Sequence, residues 1–255
     1  ANYAPSVSSV GLIARRVDDV AIAYATLRSN GTGTVQPRRR LLVLRQLVET
    51  MCDDETLVLF DSACRALLDA GFTMRYVEIP GWLDGERAAG TISRAEGGRA
   101  LAGMDAALLS EGLRVRAAAA ARLAPAQVDQ AWAAARALRS ALSATIHEHD
   151  ADAIVTPTWP FAAPRIEAES VLVRGRHVPV DPHRNCFVRA ANAIDACALT
   201  LPMGVYPTAE VPAGLHLTAP GGAEARLLAV AQLVEAALPA IPLPPPLRPS
   251  NAIRP

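Results

Sequence analysis

Two hydrophobic periods alternate along the chain, one helical and one of strand type. From Val17 to Leu27 the apolar residues fall at Val17, Val20, Ala21, Ala23, Tyr24 and Leu27, one face of a helix. Asp18 and Asp19 occupy its first turn, where the helix dipole favours acids. Ser29 to Pro37, rich in Gly, Thr and Asn, reads as a loop, and the Leu-Leu-Val-Leu run within Arg40 to Arg45 as a buried strand. Asp53 and Asp54 open a helix that runs to about Ala70, with Gly71 placed to end it. Phe72 to Ile79 alternates and carries β-branched residues, a strand stopped by Pro80 and Gly81. From Arg87 to His149 the pattern is nearly all helical, broken near Gly112 and near Pro125, which fits the first turn of a new helix.

The remainder is shorter-stepped. Ala153 to Val155 predicts a short strand, and Thr156 to Pro164 a proline-punctuated loop. Val171 to Val180 predicts a hairpin turning at Arg174 and Gly175. Asn185 to Ala196 reads as helix, Ala198 to Leu201 and Gly214 to Thr218 as strands, and Glu224 to Leu238 as the final helix. Residues 239–255 form a Pro-rich tail expected to be extended. The unit from Arg40 to Pro80, strand then helix then strand, implies parallel pairing. The fold class is therefore α/β, a mixed β-sheet covered by helices. No clean linker is visible, so residues 1–255 are expected to form a single domain.

Composition narrows the class. Apolar residues make up 51% of 255 residues, enough for a substantial core, and 25 basic residues balance 25 acidic ones. That neutrality gives no footprint for nucleic acid or a membrane surface. Neither a signal peptide nor a membrane-spanning apolar run is visible, and Cys52, Cys64, Cys186 and Cys197 lack metal-type spacing. Buried free thiols in a reducing cytoplasm are the expectation, and abundant Ala and Arg with few aromatics fit a high-GC bacterial genome. The chain begins with Ala rather than Met, as a fragment or processed chain would.

Candidate chemistry is sparse. Ser8 and Ser9 precede a helix and fit a cap or loop. His147 and His149 are two apart, so a helix does not aim both at one metal, and they fit the helix C-terminus instead. His177 and His183 read as solvated loop residues, and nothing joins Asp181 and His183 to a serine. No metal or cofactor is expected. Ligands of α/β sheets collect in loops after strand ends. That rule selects Thr158 and Trp159 in the loop after Val155, and Arg189, Asn192 and Asp195 on the nearby helix, as candidate substrate-binding residues.

Several stretches also carry a resemblance. Ser6 to Ala21 is similar to the run Ser-Leu-Asp-x-x-Gly-Pro-Ile-Ala-Arg-Ser-Val-x-Asp-x-Ala. Arg40 to Pro80 follows in order, then Ala95-Glu96-Gly97-Gly98, Asp152 to Pro160, and Asn192 to Pro220, where Leu-Pro-x-Gly follows one apolar strand and Pro-x-Gly begins the next. Together they resemble the C-terminal half of the amidase signature family, serine amidohydrolases built on one large α/β domain. The Ala-Glu-Gly-Gly run resembles the subgroup acting on small ureides and carboxybiuret-like amides. Leu12 replaces a family Pro, Asp195 a helix-ending Gly, Cys197 a Pro, and His216 stands where Gln is common.

The resemblance implies hydrolysis of a C–N bond by a serine activated through a cis-serine and a lysine. Those residues belong to a segment preceding the first matched stretch. The sequence holds no Gly-Gly-Ser-Ser run and no lysine, since all 25 basic residues are arginine, and arginine does not serve as a neutral amine base. No catalytic residue is therefore expected in this chain. The implied function is the C-terminal half of a hydrolase for a small amide or ureide, its partner being an N-terminal amidase segment or another chain. The alternative is a truncated or degenerate family member, non-catalytic, that binds as part of a larger assembly. Cutting the sheet in this way exposes an edge, so self-association as a homo-oligomer is expected. Asn192 is expected as a buried amide bonded to backbone, and Arg189 as a receptor for an anionic substrate.

Overall fold

The computed structural model describes residues 3–28 and 35–241. Residues 29–34 of the expected loop, and the Pro-rich tail from 242 onward, lie outside the described residues. In chain order the elements are α1 (Val17–Leu27), β1 (Arg40–Val43), α2 (Arg45–Met51), α3 (Asp54–Asp69) and β2 (Thr73–Tyr76). Then come α4 (Trp82–Ala102), α5 (Glu111–Ala121), α6 (Pro125–Glu148), β3 (Ala153–Pro157), β4 (Ser170–Val173) and β5 (Arg176–Pro179). The last are α7 (Val180–His183), α8 (Arg189–Ala193), β6 (Ala196–Val205), β7 (Pro212–Pro220) and α9 (Glu224–Ala237).

Five strands form one mixed sheet in the order β2-β1-β3-β7-β6. β1 runs parallel to β2 and β3, and β7 antiparallel to β3 and β6. Helices cover both faces. Leu41, Val43, Val155 and Leu217 pack with Phe60 and Leu67 of α3 and Val230 and Val234 of α9. Leu42 and Ile154, on the other face, pack with Ile92 of α4, Leu138 and Leu142 of α6, and Ile194. No helix among the described residues is long and apolar enough to cross a membrane.

Local chemistry explains several boundaries. The Asp53 side chain accepts from the Thr56 N–H at 2.8 Å and caps α3. At the other end Gly71 takes φ +83°, the Phe72 N–H bonds the Leu67 carbonyl and the Gly71 N–H bonds that of Leu68. That pair of bonds is the Schellman closure, and it turns the chain directly into β2. The α1 N-terminus has no cap of its own. Glu235 of α9 supplies it, accepting from the Val17 N–H at 3.1 Å. Pro125 opens α6, and the Gln127 side chain accepts from the Ala124 N–H at 2.9 Å, bonding a group that Ala124 leaves free.

Other boundaries move. α4 starts at Trp82, and the helical run breaks over 103–110. Gly112 lies inside the first turn of α5, whose cap is Ser110, its hydroxyl accepting from the Leu113 N–H. The helix expected from Asn185 to Ala196 contracts to the five residues of α8, because Asp195 takes φ +53° and stops it. β6 extends through Pro202 to Val205, with a register shift between Pro202 and Gly204 absorbing the proline. α2 was not legible as a helix.

The Ala-Glu-Gly-Gly run of α4 serves packing. Glu96 accepts from the Ser6 N–H at 2.9 Å. A Cβ on Gly97 would stand 2.1 Å from the Tyr3 ring, and one on Gly98 would stand 2.2 Å from Ala120 of α5. These residues hold the N-terminal segment and α5 against α4. Gly97→Leu is therefore expected to expel Tyr3 and release the segment, so that trypsin cuts after Arg15 and Arg16 several-fold faster while the rest stays folded. Limited proteolysis followed by mass spectrometry checks this.

Candidate functional site

The end of β3 leads into the region selected from the sequence. Thr158 donates its N–H to the Gly214 carbonyl at 2.7 Å, and its hydroxyl donates to that of Thr200 on β6 at 3.2 Å. The pairing depends on a bare backbone at residue 214, where a Cβ would stand 2.5 Å from the Thr158 oxygen. This accounts for the glycine of the Pro-x-Gly run that opens β7. Thr200 is exposed, Thr158 half-buried, and the two hydroxyls form a polar ledge. Thr156, His216 and Thr200 stand side by side across β3, β7 and β6. His216 is buried, its Nδ1 lies 3.2 Å from the Thr218 hydroxyl, and burial lowers its pKa to about 4, leaving the ring neutral.

Trp159 lies beside the ledge. Its ring meets Phe161 edge-on at 6.3 Å, and the Arg184 guanidinium sits 5.8 Å from its centroid. Phe161 stacks on His183 at 6.0 Å, and His183 Nε2 lies 2.9 Å from the Met51 carbonyl. His183 is thus half-buried and anchored, a correction to its reading as a solvated loop residue. Asp181 accepts from Asn185 at 3.1 Å and Arg189 at 3.0 Å, with Arg184 at 3.7 Å. Among the described residues neither Asp181 nor His183 bonds a serine.

Arg189 is committed elsewhere. One guanidinium nitrogen donates to Glu86 of α4 at 2.7 Å and another to Asp181 at 3.0 Å. The Glu86 side chain is 7% exposed; burial raises its pKa, and the Arg189 charge opposes that rise. Arg189 therefore braces α8 against α4, its charge already shared by two carboxylates.

The remaining candidates make no side-chain bond within this cluster. Asn192 is exposed, with no side-chain partner among the described residues, so the expected buried amide is corrected. α8 is a single turn and buries Ala190 and Ala191 instead. Asp195 is exposed and accepts from Arg139 at 3.1 Å. It lies five residues before Thr200 on an extended strand, about 17 Å away at ~3.4 Å per residue. Thr158, Trp159 and Arg189 thus gather at the end of β3, while Asp195 sits at the opposite end of β6. Thr200, Glu86, Phe161 and Arg184 join the cluster without having been singled out from the sequence. The alternation of Ala198, Thr200 and Pro202 as an exposed row was the available signal for Thr200.

Other reactive groups are quiet. Burial pushes all four thiols up, Cys64 and Cys197 to about 12, which keeps them protonated and poor nucleophiles. No cluster of three His, Cys, Asp or Glu able to hold a metal occurs among the described residues.

The amidase family model matches residues 1–228. The chain belongs to the amidase signature family. A 2-amino-5-chloromuconic acid deaminase from Comamonas testosteroni is 34% identical over 87 residues, 34% of this chain and 18% of that protein. A crystal structure of an amidase superposes with TM-score 0.80 at 21% identity, covering 88% of this chain and 52% of its own. One subunit of the glutamyl-tRNA(Gln) amidotransferase from Thermotoga maritima superposes with TM-score 0.71 at 20% identity, over 93% of this chain and 54% of its own. The chain thus spans about half the length of these solved structures.

Proposed function

We infer that the chain is the C-terminal part of an amidohydrolase that cleaves the C–N bond of a small amide or ureide. In this reading it contributes pocket wall and half of the sheet, and a further segment contributes the nucleophile and its base. The observation that carries it is an amidase fold of about half the usual extent, in 255 residues without a single lysine. Thr158 and Trp159 offer a hydroxyl and a flat apolar ring to a bound amide. Thr200 extends the ledge, and Arg189 holds the adjoining wall in place through Glu86 and Asp181. The complete lack of lysine equally favours a second reading, a non-catalytic subunit that binds without turnover.

The 255 residues alone are expected to leave amides and esters untouched and to keep their intact mass after incubation with a fluorophosphonate. The complete protein is expected to take one label on one serine and to hydrolyse small amides. Stoichiometric labelling of the chain alone would sink the first reading. A complete protein that binds an amide without turning it over would establish the second.

A further inference from the structure

Two arginines stand on the wall beside the Thr158–Thr200 ledge, and they are engaged differently. Arg189 places its fork on carboxylates, one nitrogen on Glu86 at 2.7 Å and another on Asp181 at 3.0 Å. Arg184 has only a loose neighbour. Its Nε lies 3.7 Å from Asp181 Oδ1, beyond hydrogen-bonding reach. That oxygen already accepts from Asn185 at 3.1 Å and from Arg189 at 3.0 Å. The two terminal nitrogens of Arg184 bond nothing among the described residues, and its side chain is 40% exposed.

The guanidinium is nonetheless held in place. It sits 5.8 Å from the centroid of the Trp159 ring, and Trp159 directly follows Thr158 of the ledge. The Arg184 N–H donates to the Val180 carbonyl at 2.9 Å. On one side of it His183 is fixed by the Met51 carbonyl at 2.9 Å and by the Phe161 ring at 6.0 Å. On the other side Asn185 is tied to Asp181. The backbone that carries the arginine is thus anchored on both sides, and the indole restricts the plane of its cation. A fixed planar cation with a free end matches a carboxylate, which takes two parallel N–H bonds from such a fork.

We propose that Arg184 sets the specificity of this site, and that the substrate is a small amide bearing a carboxylate at its far end, an amic acid. The anion binds the free end of Arg184, the amide meets the hydroxyls of Thr158 and Thr200, and the chain between them lies against Trp159. The inference rests on the reading above that the complete protein is an amidohydrolase. The anion-receiving part that the sequence suggested for Arg189 passes to a residue five positions earlier. Glu86 and Asp181 already hold Arg189, whereas no carboxylate is bonded to the terminal nitrogens of Arg184 among the described residues.

The complete protein is tested on three pairs of equal length: malonamate and malonamide, succinamate and succinamide, glutaramate and glutaramide. Within each pair the shape is shared and the charge of the far end differs. At the length that spans ledge and fork, kcat/KM is expected to favour the anion at least about tenfold. Arg184→Gln is expected to lower kcat/KM for that anion at least about tenfold, chiefly through KM, and to leave the diamide within about twofold. Arg184→Lys is expected to recover part of the loss, since an ammonium restores the charge without the fork. A folding defect lowers both members of a pair alike, so the ratio of anion to diamide reads the contact itself. Equal rates for anion and diamide at all three lengths would overturn the proposal, as would an Arg184→Gln variant that keeps the ratio of the parent. The same six compounds are titrated by calorimetry. An anion whose binding Arg184→Gln weakens about tenfold, with none of the six hydrolysed, keeps this inference and removes the activity. Hydrolysis of anions and diamides at equal rates does the reverse, and a complete protein that neither binds nor hydrolyses any of them removes both.

Discussion

Replacing His216 by Gln is expected to remove an acid-side loss of stability of about 3 kcal/mol. His216 is buried on β7 with a pKa of about 4 in the fold, whereas an unfolded chain holds histidine near 6.5. Between those values the unfolded chain binds a proton that the folded chain refuses. The contribution of the neutral ring is therefore complete above pH 6.5, shrinks as pH falls toward 4, and changes no further below that. The difference of about 2.5 pH units corresponds to about 3 kcal/mol at most. Gln keeps a hydrogen-bonding group toward Thr218 without a titrating proton. Urea melts at pH 7.5 are expected to agree between the two proteins within about 1 kcal/mol. At pH 4.5 the variant is expected to be more stable by about 2–3 kcal/mol. Carboxylates titrate in both proteins, so the difference between the curves isolates the histidine. Parallel curves across this range would show that His216 accepts a proton in place.

Arg189→Ala is expected to destabilise the fold by about 3 kcal/mol, because it strands the buried Glu86 carboxylate without its cation. The figure is the low end for a broken buried pair, since the Arg189 side chain is 26% exposed. Arg189→Lys rescues little, because one ammonium does not reproduce a planar fork held between Glu86 and Asp181. Glu86→Gln combined with Arg189→Met removes both charges and is expected to recover most of the loss. Melting curves of the parent, Arg189→Met, Glu86→Gln and the double variant form a double-mutant cycle, and equal stability of Arg189→Met and the double variant would refute the brace. Asn192→Ala, at an exposed position without a partner among the described residues, is expected to stay within about 0.5 kcal/mol of the parent. That reverses the order the sequence suggested, in which Asn192 supported the fold and Arg189 a substrate anion.

The reason lies in the range of the forces involved. α8 looked like part of a longer helix because its neighbours are Ala, Ile and Asn, and periodicity alone does not reveal a residue that turns to positive φ. Asp195 does so, although replacing the family's helix-ending Gly by Asp had put that conformation in doubt. An isolated Arg beside an apolar run reads as a free cation. Its partner Glu86 is 103 residues away, and no local pattern announces it.

What the sequence determined by itself is what neighbours within a few residues decide. The Asp53 cap and the Gly71 closure bound α3, Pro125 starts α6, Arg174 and Gly175 turn the hairpin, and Val17, Val20, Ala21 and Tyr24 of α1 face the core as their spacing put them, whereas Leu27 is exposed. Steric and hydrogen-bonding preferences act there at contact distance along the chain. The order of family motifs carried the amidase family assignment as well, since each motif is a short stretch read along the chain. Only the tertiary structure decided that β1 lies between β2 and β3, that β7 returns antiparallel, and that β6 is left outermost. It alone joined Thr158 to Thr200 across 42 residues and Val17 to Glu235 across 218. Such pairs form when burying two apolar sheet faces brings distant polar groups together, and the energy that selects them belongs to the whole packed arrangement.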